Sequence, residues 1–166
     1  MLEELIKRFN LQKHPEGGYF SEVYRSEEKI NKEALPERYG SDRNFGTSIY
    51  FLIDGENVSN FHRLKSDEFW YFHCGSTIEV HIIYPDGKYE IKVMGLNFTK
   101  DEVPSLLLPK GCWFGARLTD TSGFGFVSCA VFPGFDFSDF ELAKRDELTA
   151  LYPQHSKIIS DLTSEG

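Results

Sequence analysis

The stretch Asn60-Phe61-His62-Arg63-Leu64-Lys65-Ser66-Asp67-Glu68-Phe69-Trp70-Tyr71-Phe72-His73-Cys74-Gly75 decides the fold. Side chains alternate between the two faces of a strand, so Asn60, His62 and Leu64 share one face. Lys65-Ser66-Asp67 is short and polar and returns the chain antiparallel, after which Glu68, Trp70 and Phe72 share a face of the partner strand. If the two faces coincide, an imidazole and a carboxylate meet inside the sheet. Neither lies buried in apolar surroundings without a partner or a use. Such a pair can ligate a metal, exchange protons or hold a polar ligand.

On both sides of this hairpin the pattern is strand after strand. Tyr19 to Arg25, Thr47 to Ile53, Val58 to Leu64, Glu68 to His73, Ile78 to Tyr84, Tyr89 to Met94, Ser105 to Leu108, Cys112 to Leu118 and Phe124 to Phe132 all read as extended, and Pro85-Asp86-Gly87-Lys88 is a turn between two of them. Strands at this spacing without intervening helices indicate a sandwich or barrel. Leu2, Leu5, Ile6 and Phe9 recur at helical spacing before it. A second helix begins between Ser138 and Leu151, with Leu142, Leu148 and Leu151 as candidate buried positions; Ser138 and Glu141 have capping-box spacing, and Asp146 could equally cap a shorter helix. His155 to Leu162 adds about one further turn after Pro153. The polar run from Ser26 to Gly46 reads as a long loop. No linker divides the chain, so residues 1–166 are expected to form one domain.

Composition agrees. Fifteen Phe and eight Tyr among 166 residues favour pleated, half-buried surfaces. A net charge of -8 with scattered basic residues argues against a nucleic-acid partner. Cys74, Cys112 and Cys129 have no paired spacing, which fits a reducing compartment. With no long apolar run and no signal-peptide pattern at Met1, a cytoplasmic protein without a membrane partner is expected.

The central stretch resembles the first motif of the cupin superfamily, which has two His one residue apart, then a Glu, then a Gly. His62, Glu68 and Gly75 match it, and Pro109-Lys110-Gly111 matches the start of the second motif. Asn60 stands where the first His would be, and Phe114 where the last would be. The resemblance implies a mainly β cupin fold, a double-stranded β-helix or jelly-roll barrel, with a short N-terminal helix and one or two C-terminal helices. His14-Pro15-Glu16-Gly17-Gly18, Tyr24-Arg25-Ser26, Ile49-Tyr50-Phe51-Leu52, Pro109-Lys110-Gly111-Cys112-Trp113 and Pro133-Gly134-Phe135 are similar to one small, uncharacterised cupin family. Its members resemble the sugar-nucleotide keto-deoxyhexose 3,5-epimerases in fold, and a homodimer is implied.

The candidate catalytic residues are His62, as general acid or base, and Glu68, orienting it or sharing its proton. Asn60, Trp70, Phe114 and Glu16 are the candidate ligand pocket. For His62 the alternative is a core histidine satisfied by a backbone carbonyl. For Glu16 and His14 it is a role in tying the turn, and for Arg25 and Arg43 a salt bridge in place of an anionic substrate. Only two of the usual four metal ligands survive, so no cofactor is expected beyond a weakly bound divalent metal on His62, Glu68 and Asn60. Three functions remain open. One is an isomerase or epimerase of a small sugar-like or keto-acid molecule. The second is a non-enzymatic metabolite-binding module, and the third a metal-dependent cupin oxygenase or isomerase.

Overall fold

The structure, a computed structural model, describes residues 1–55 and 57–164. In chain order the elements are α1 (Leu2–Arg8), β1 (Gln12–Lys13), β2 (Tyr19–Arg25), β3 (Lys29–Ile30), β4 (Arg43–Asn44), β5 (Thr47–Asp54), β6 (Ser59–Arg63), β7 (Asp67–Gly75), β8 (Ile78–Ile83), β9 (Tyr89–Met94), β10 (Ser105–Leu108), β11 (Trp113–Leu118), β12 (Phe124–Phe132), β13 (Glu141–Leu142), α2 (Arg145–Leu151) and α3 (Ser156–Asp161). Six strands form one sheet in the order β1-β2-β5-β12-β7-β10, and five form the other in the order β13-β6-β11-β8-β9. Neighbouring strands within each sheet run antiparallel.

The barrel follows from which side chains each strand turns inward. Phe51 and Ile53 of β5, Trp70 of β7, and Val127 and Cys129 of β12 meet Val80 and Ile82 of β8 and Phe114 and Ala116 of β11 in one buried cluster. Phe114 points into this core while Trp113 faces the opposite side, as period-two alternation requires. Between β8 and β9 the sequence turns through Gly87, whose φ of 85° suits a residue without a Cβ, and the Lys88 carbonyl accepts from Tyr84 N at 2.9 Å.

Helices cover part of each outer face. Leu2, Leu5, Ile6 and Phe9 pack on Leu52 and Phe126 outside the six-stranded sheet. Leu148, Ile159 and Leu162 pack on Phe61, Ile83 and Trp113 outside the five-stranded one. Among the described residues no helix is long and apolar enough to cross a membrane.

Two local expectations are corrected and a third is narrowed. The Ser26–Gly46 segment is not a bare loop, because β3 pairs with β4 and Arg43 is tied to Asp139 by two bonds of 2.6 Å. The second helix starts at Arg145, inside the expected span and beside Asp146 rather than at Ser138. Asp136 instead caps a short 3-10 turn, and Glu141 and Leu142 pair with Arg63 and His62. Leu148 is buried there, whereas Leu142 and Leu151 are exposed.

Candidate functional site

A cavity of about 320 Å³ opens into one end of the barrel. Its floor and walls come from both sheets: His62 of β6 and Leu64 just after it, Glu68 and Trp70 of β7, Phe51 of β5 and Cys129 of β12. Its mouth is framed by Glu22 and Arg25 of β2 and by Phe135, Phe137 and Phe140 from the segment after β12.

The turn between β1 and β2 carries Glu16 over this cavity. Gly17 has φ 108°, and a Cβ there would run into the Val58 carbonyl, so the paired glycines let the turn lie flat on β6. Asn60 fastens it, with both its backbone N–H (2.7 Å) and its side-chain amide (2.8 Å) donating to the Glu16 carbonyl. The Glu16 carboxyl then sits among β6 side chains. Ser59 Oγ donates to Oε1 at 2.7 Å, and His62 Nε2 lies 3.0 Å from Oε2.

This geometry fixes the protons. His62 Nδ1 lies 2.7 Å from the Asn60 carbonyl oxygen, which can only accept, so Nδ1 carries the hydrogen. Nε2 is left with its lone pair facing Glu16, and the proton between them belongs to the carboxyl unless the ring is an imidazolium. Burial decides. It pushes His62 down to about 3, and burial together with the neighbouring Glu68 carboxylate raises Glu16 well above the usual carboxylate range, against the Ser59 bond. Both shifts favour the neutral pair, a carboxylic acid donating to a neutral imidazole, over the ion pair. His14 packs beside them, its Nδ1 accepting from the Glu16 backbone N–H at 3.2 Å, and burial pushes it down to about 4.

Across the cavity stands a second carboxyl. Glu68 is pushed up to about 7 by burial, partly offset by the nearby Trp70 indole and Cys129 thiol. Those neighbours do not close on it. Glu68 Oε2 and Trp70 Nε1 are both buried without a hydrogen-bond partner among the described residues. Buried polar atoms left in this state mark a place where a ligand or water completes the set. The Cys129 thiol is itself raised far above its ordinary value by burial and by Glu68 and Glu16, so it stays protonated.

Of the residues singled out from sequence, Glu16, His62, Glu68 and Trp70 line this one cavity. Asn60 does not line it, because its amide is spent on the Glu16 turn and on Ser164 Oγ at 3.3 Å. Phe114 lies in the core beneath, its ring 4.2 Å from that of His62. The partner expected for His62 is corrected: the carboxyl it touches is Glu16, supplied by a turn, and not Glu68 from the adjoining hairpin. His14 both ties its turn and lines the cavity, while the three mouth phenylalanines are lining residues that sequence reasoning did not assign to the pocket. Three Phe within six residues of otherwise polar chain, Phe135 to Phe140, were the available signal. Arg25 and Arg43 hold salt bridges, to Glu22 and Asp139 respectively.

The residues do not fit the metal site that the resemblance implies. Asn60 faces Glu16, Phe114 has no donor atom, and His62 Nε2 is engaged by Glu16. Among the described residues no group of three or more His, Cys, Asp or Glu is arranged to hold a metal ion. A two-sheet barrel with a cavity between its sheets, bearing the residues of the cupin motifs, defines the class as a cupin. The match to a family model runs over residues 3–143, and the chain belongs to that family, the DUF985 family of the cupin superfamily.

The relatives fit this placement. The uncharacterized protein YML079W of Saccharomyces cerevisiae is 34% identical over 161 residues, covering 90% of this chain and 79% of the yeast protein. The crystal structure of protein SO0799 from Shewanella oneidensis matches with a TM-score of 0.89 and 39% identity over 99% of this chain and 98% of that one. A hypothetical protein from Leishmania major matches equally, at 0.89 and 38%, over 98% of each chain. Oxalate decarboxylase from Bacillus subtilis matches at 0.56 with 16% identity, over 93% of this chain and 37% of its own, which is likeness of fold alone.

Proposed function

We propose that the barrel binds a small polar molecule and moves protons on it, in the manner of an isomerase acting beside a carbonyl group. The observation that carries this reading is the convergence of two unlike carboxyls on one cavity: Glu68, unpartnered and near half-ionised at neutral pH, and Glu16, an acid hydrogen-bonded to His62. Environments that push two titratable groups apart assign a base and an acid. The Glu68 carboxylate takes a proton from the carbon next to the carbonyl. The Glu16–His62 pair gives a proton to the carbonyl oxygen, and an enediol results. Return of the Glu68 proton to carbon and of the hydroxyl proton to Glu16–His62 regenerates both groups. Roles fall differently from the sequence expectation, in which His62 acted with Glu68 alone.

The test is solvent exchange. Purified protein with uncharged hydroxy-ketones and aldoses in deuterium oxide is expected to place deuterium on the carbon beside the carbonyl, and E68Q and H62A are expected to abolish it. Binding without exchange across such a panel would leave the non-enzymatic metabolite-binding module as the function.

We also infer a twofold homodimer through the outer face of the six-stranded sheet. A row in register across five strands, Leu107, Phe69, Ala130, Ser48 and Tyr24, faces outward. Leu107, Tyr24 and neighbouring Tyr71 are exposed. Closed twofold pairs are the commonest way to bury such a face. A monomer mass by light scattering at micromolar protein would contradict it, and Leu107→Glu is expected to dissociate the pair.

A further inference from the structure

The charges around the cavity are one-sided. Arg25 is the cationic side chain among the described lining residues, and its fork is already spent. Nε and Nη2 donate to Glu22 at 3.0 and 2.7 Å, and Nη1 donates to Asn44 Oδ1 and the Phe135 carbonyl at 2.9 Å each. Facing the same space are the carboxyl groups of Glu16, Glu22, Glu68 and Asp136. An anion entering here meets acidic groups and no uncommitted cation, and burying a charge without a partner is strongly unfavourable.

The unpaired atoms say what would be welcome. Glu68 and Trp70 are two residues apart on the same face of β7, both more than nine-tenths buried and both lining the cavity. Among the described residues Glu68 Oε2 is an acceptor without a donor, and Trp70 Nε1–H is a donor without an acceptor. A single hydroxyl group answers both, its oxygen accepting from the indole and its hydrogen donated to the carboxylate. A carboxylate or phosphate oxygen would satisfy the indole while facing Glu68 with no proton to give. An ammonium group would satisfy Glu68 while leaving the indole unpaired. The remaining walls, including Phe20, Phe51 and Phe137, are rings and apolar side chains suited to the C–H faces of a sugar.

We infer that the ligand of this cavity is an uncharged hydroxyl-bearing compound of the free-sugar class, and that phosphorylated and carboxylated compounds are shut out. The inference rests on the reading of the cavity as a small-molecule site and narrows it. Nucleotide-linked sugars and keto acids are excluded by the same charge argument.

The test is binding by ligand-observed NMR and calorimetry at neutral pH. Two matched sets serve: xylulose, xylulose phosphate and xylonate; and fructose, fructose phosphate and gluconate. The unmodified protein is expected to bind the neutral member of a set at least about tenfold more tightly than either anion. W70F, which keeps the ring and loses the N–H, is expected to weaken the neutral sugar. E68Q, whose amide can donate, is expected to narrow the disadvantage of the carboxylates. An anion bound as tightly as its neutral partner overturns the inference. Selective binding of neutral sugar without deuterium exchange sustains it and overturns the proton-transfer function instead. No binding by any of the six overturns both.

Discussion

Replacing Glu68 by Gln isolates the cost of holding a carboxyl inside the barrel. Glu68 is buried, its Oε2 has no hydrogen-bond partner among the described residues, and burial lifts it from the ordinary 4.5 to about 7. A carboxyl raised in the folded state binds its proton more tightly there than in the unfolded chain. Between about pH 4.5 and pH 7 the folded protein therefore holds a proton that the unfolded chain has released, and stability falls as pH rises through that window. Below it both states are protonated and the penalty is absent; above it both are ionised and the penalty is complete. At about 1.4 kcal/mol per decade, the gap amounts to roughly 3 kcal/mol. E68Q cannot titrate, so any constant effect of the amide cancels when the two proteins are compared across pH. Urea unfolding of both at a series of pH values from mildly acidic to mildly alkaline is the assay. The variant is expected to gain on the parent by roughly 3 kcal/mol across the window. A difference that stays flat, or that grows in favour of the parent, would refute the placing of Glu68 as a buried, unpaired acid.

Glu16 offers a pair of contrasting substitutions. Glu16→Ala strands Ser59 Oγ and His62 Nε2 in the interior and is expected to cost about 2–4 kcal/mol of unfolding free energy. Glu16→Gln keeps an acceptor for Ser59 and a donor for His62, so chemical denaturation should place it within about 1 kcal/mol of the parent, while deuterium exchange is lost. An E16Q protein as unstable as E16A would mean that Glu16 is ionised. Asp139→Asn breaks the buried, two-bond pair with Arg43 and is expected to cost about 3–5 kcal/mol by denaturant unfolding, with the deuterium-exchange rate of the folded protein little changed.

The barrel could be read from the sequence because its signals are local. Alternation placed His62, Leu64, Glu68 and Trp70 on inward faces and separated Phe114 from Trp113, and it needs no knowledge of distant chain. The pairing of His62 with Glu16 was not legible. The two lie far apart in sequence, and their contact depends on how the His14–Gly18 turn lies across β6. Glycines announced a turn there without saying what it would be pressed against. The start of the C-terminal helix could be bracketed from sequence but not chosen, for a related reason. Ser138 and Glu141 have capping-box spacing, yet Glu141 and Leu142 extend the five-stranded sheet beside β6, and strand pairing outweighs a local helix preference. The mouth phenylalanines carry no period of either kind, because the segment after β12 is irregular.

The site depends above all on one proton, held by a carboxyl and aimed at an imidazole whose other nitrogen is tied to a peptide carbonyl. Long-range nitrogen–proton NMR of histidine-labelled protein at neutral pH reads this state for His62. A neutral ring with hydrogen on Nδ1 and a bare, hydrogen-bonded Nε2 is the predicted result, unchanged into mildly acidic solution. An imidazolium at neutral pH, or a ring protonated on Nε2, would contradict it.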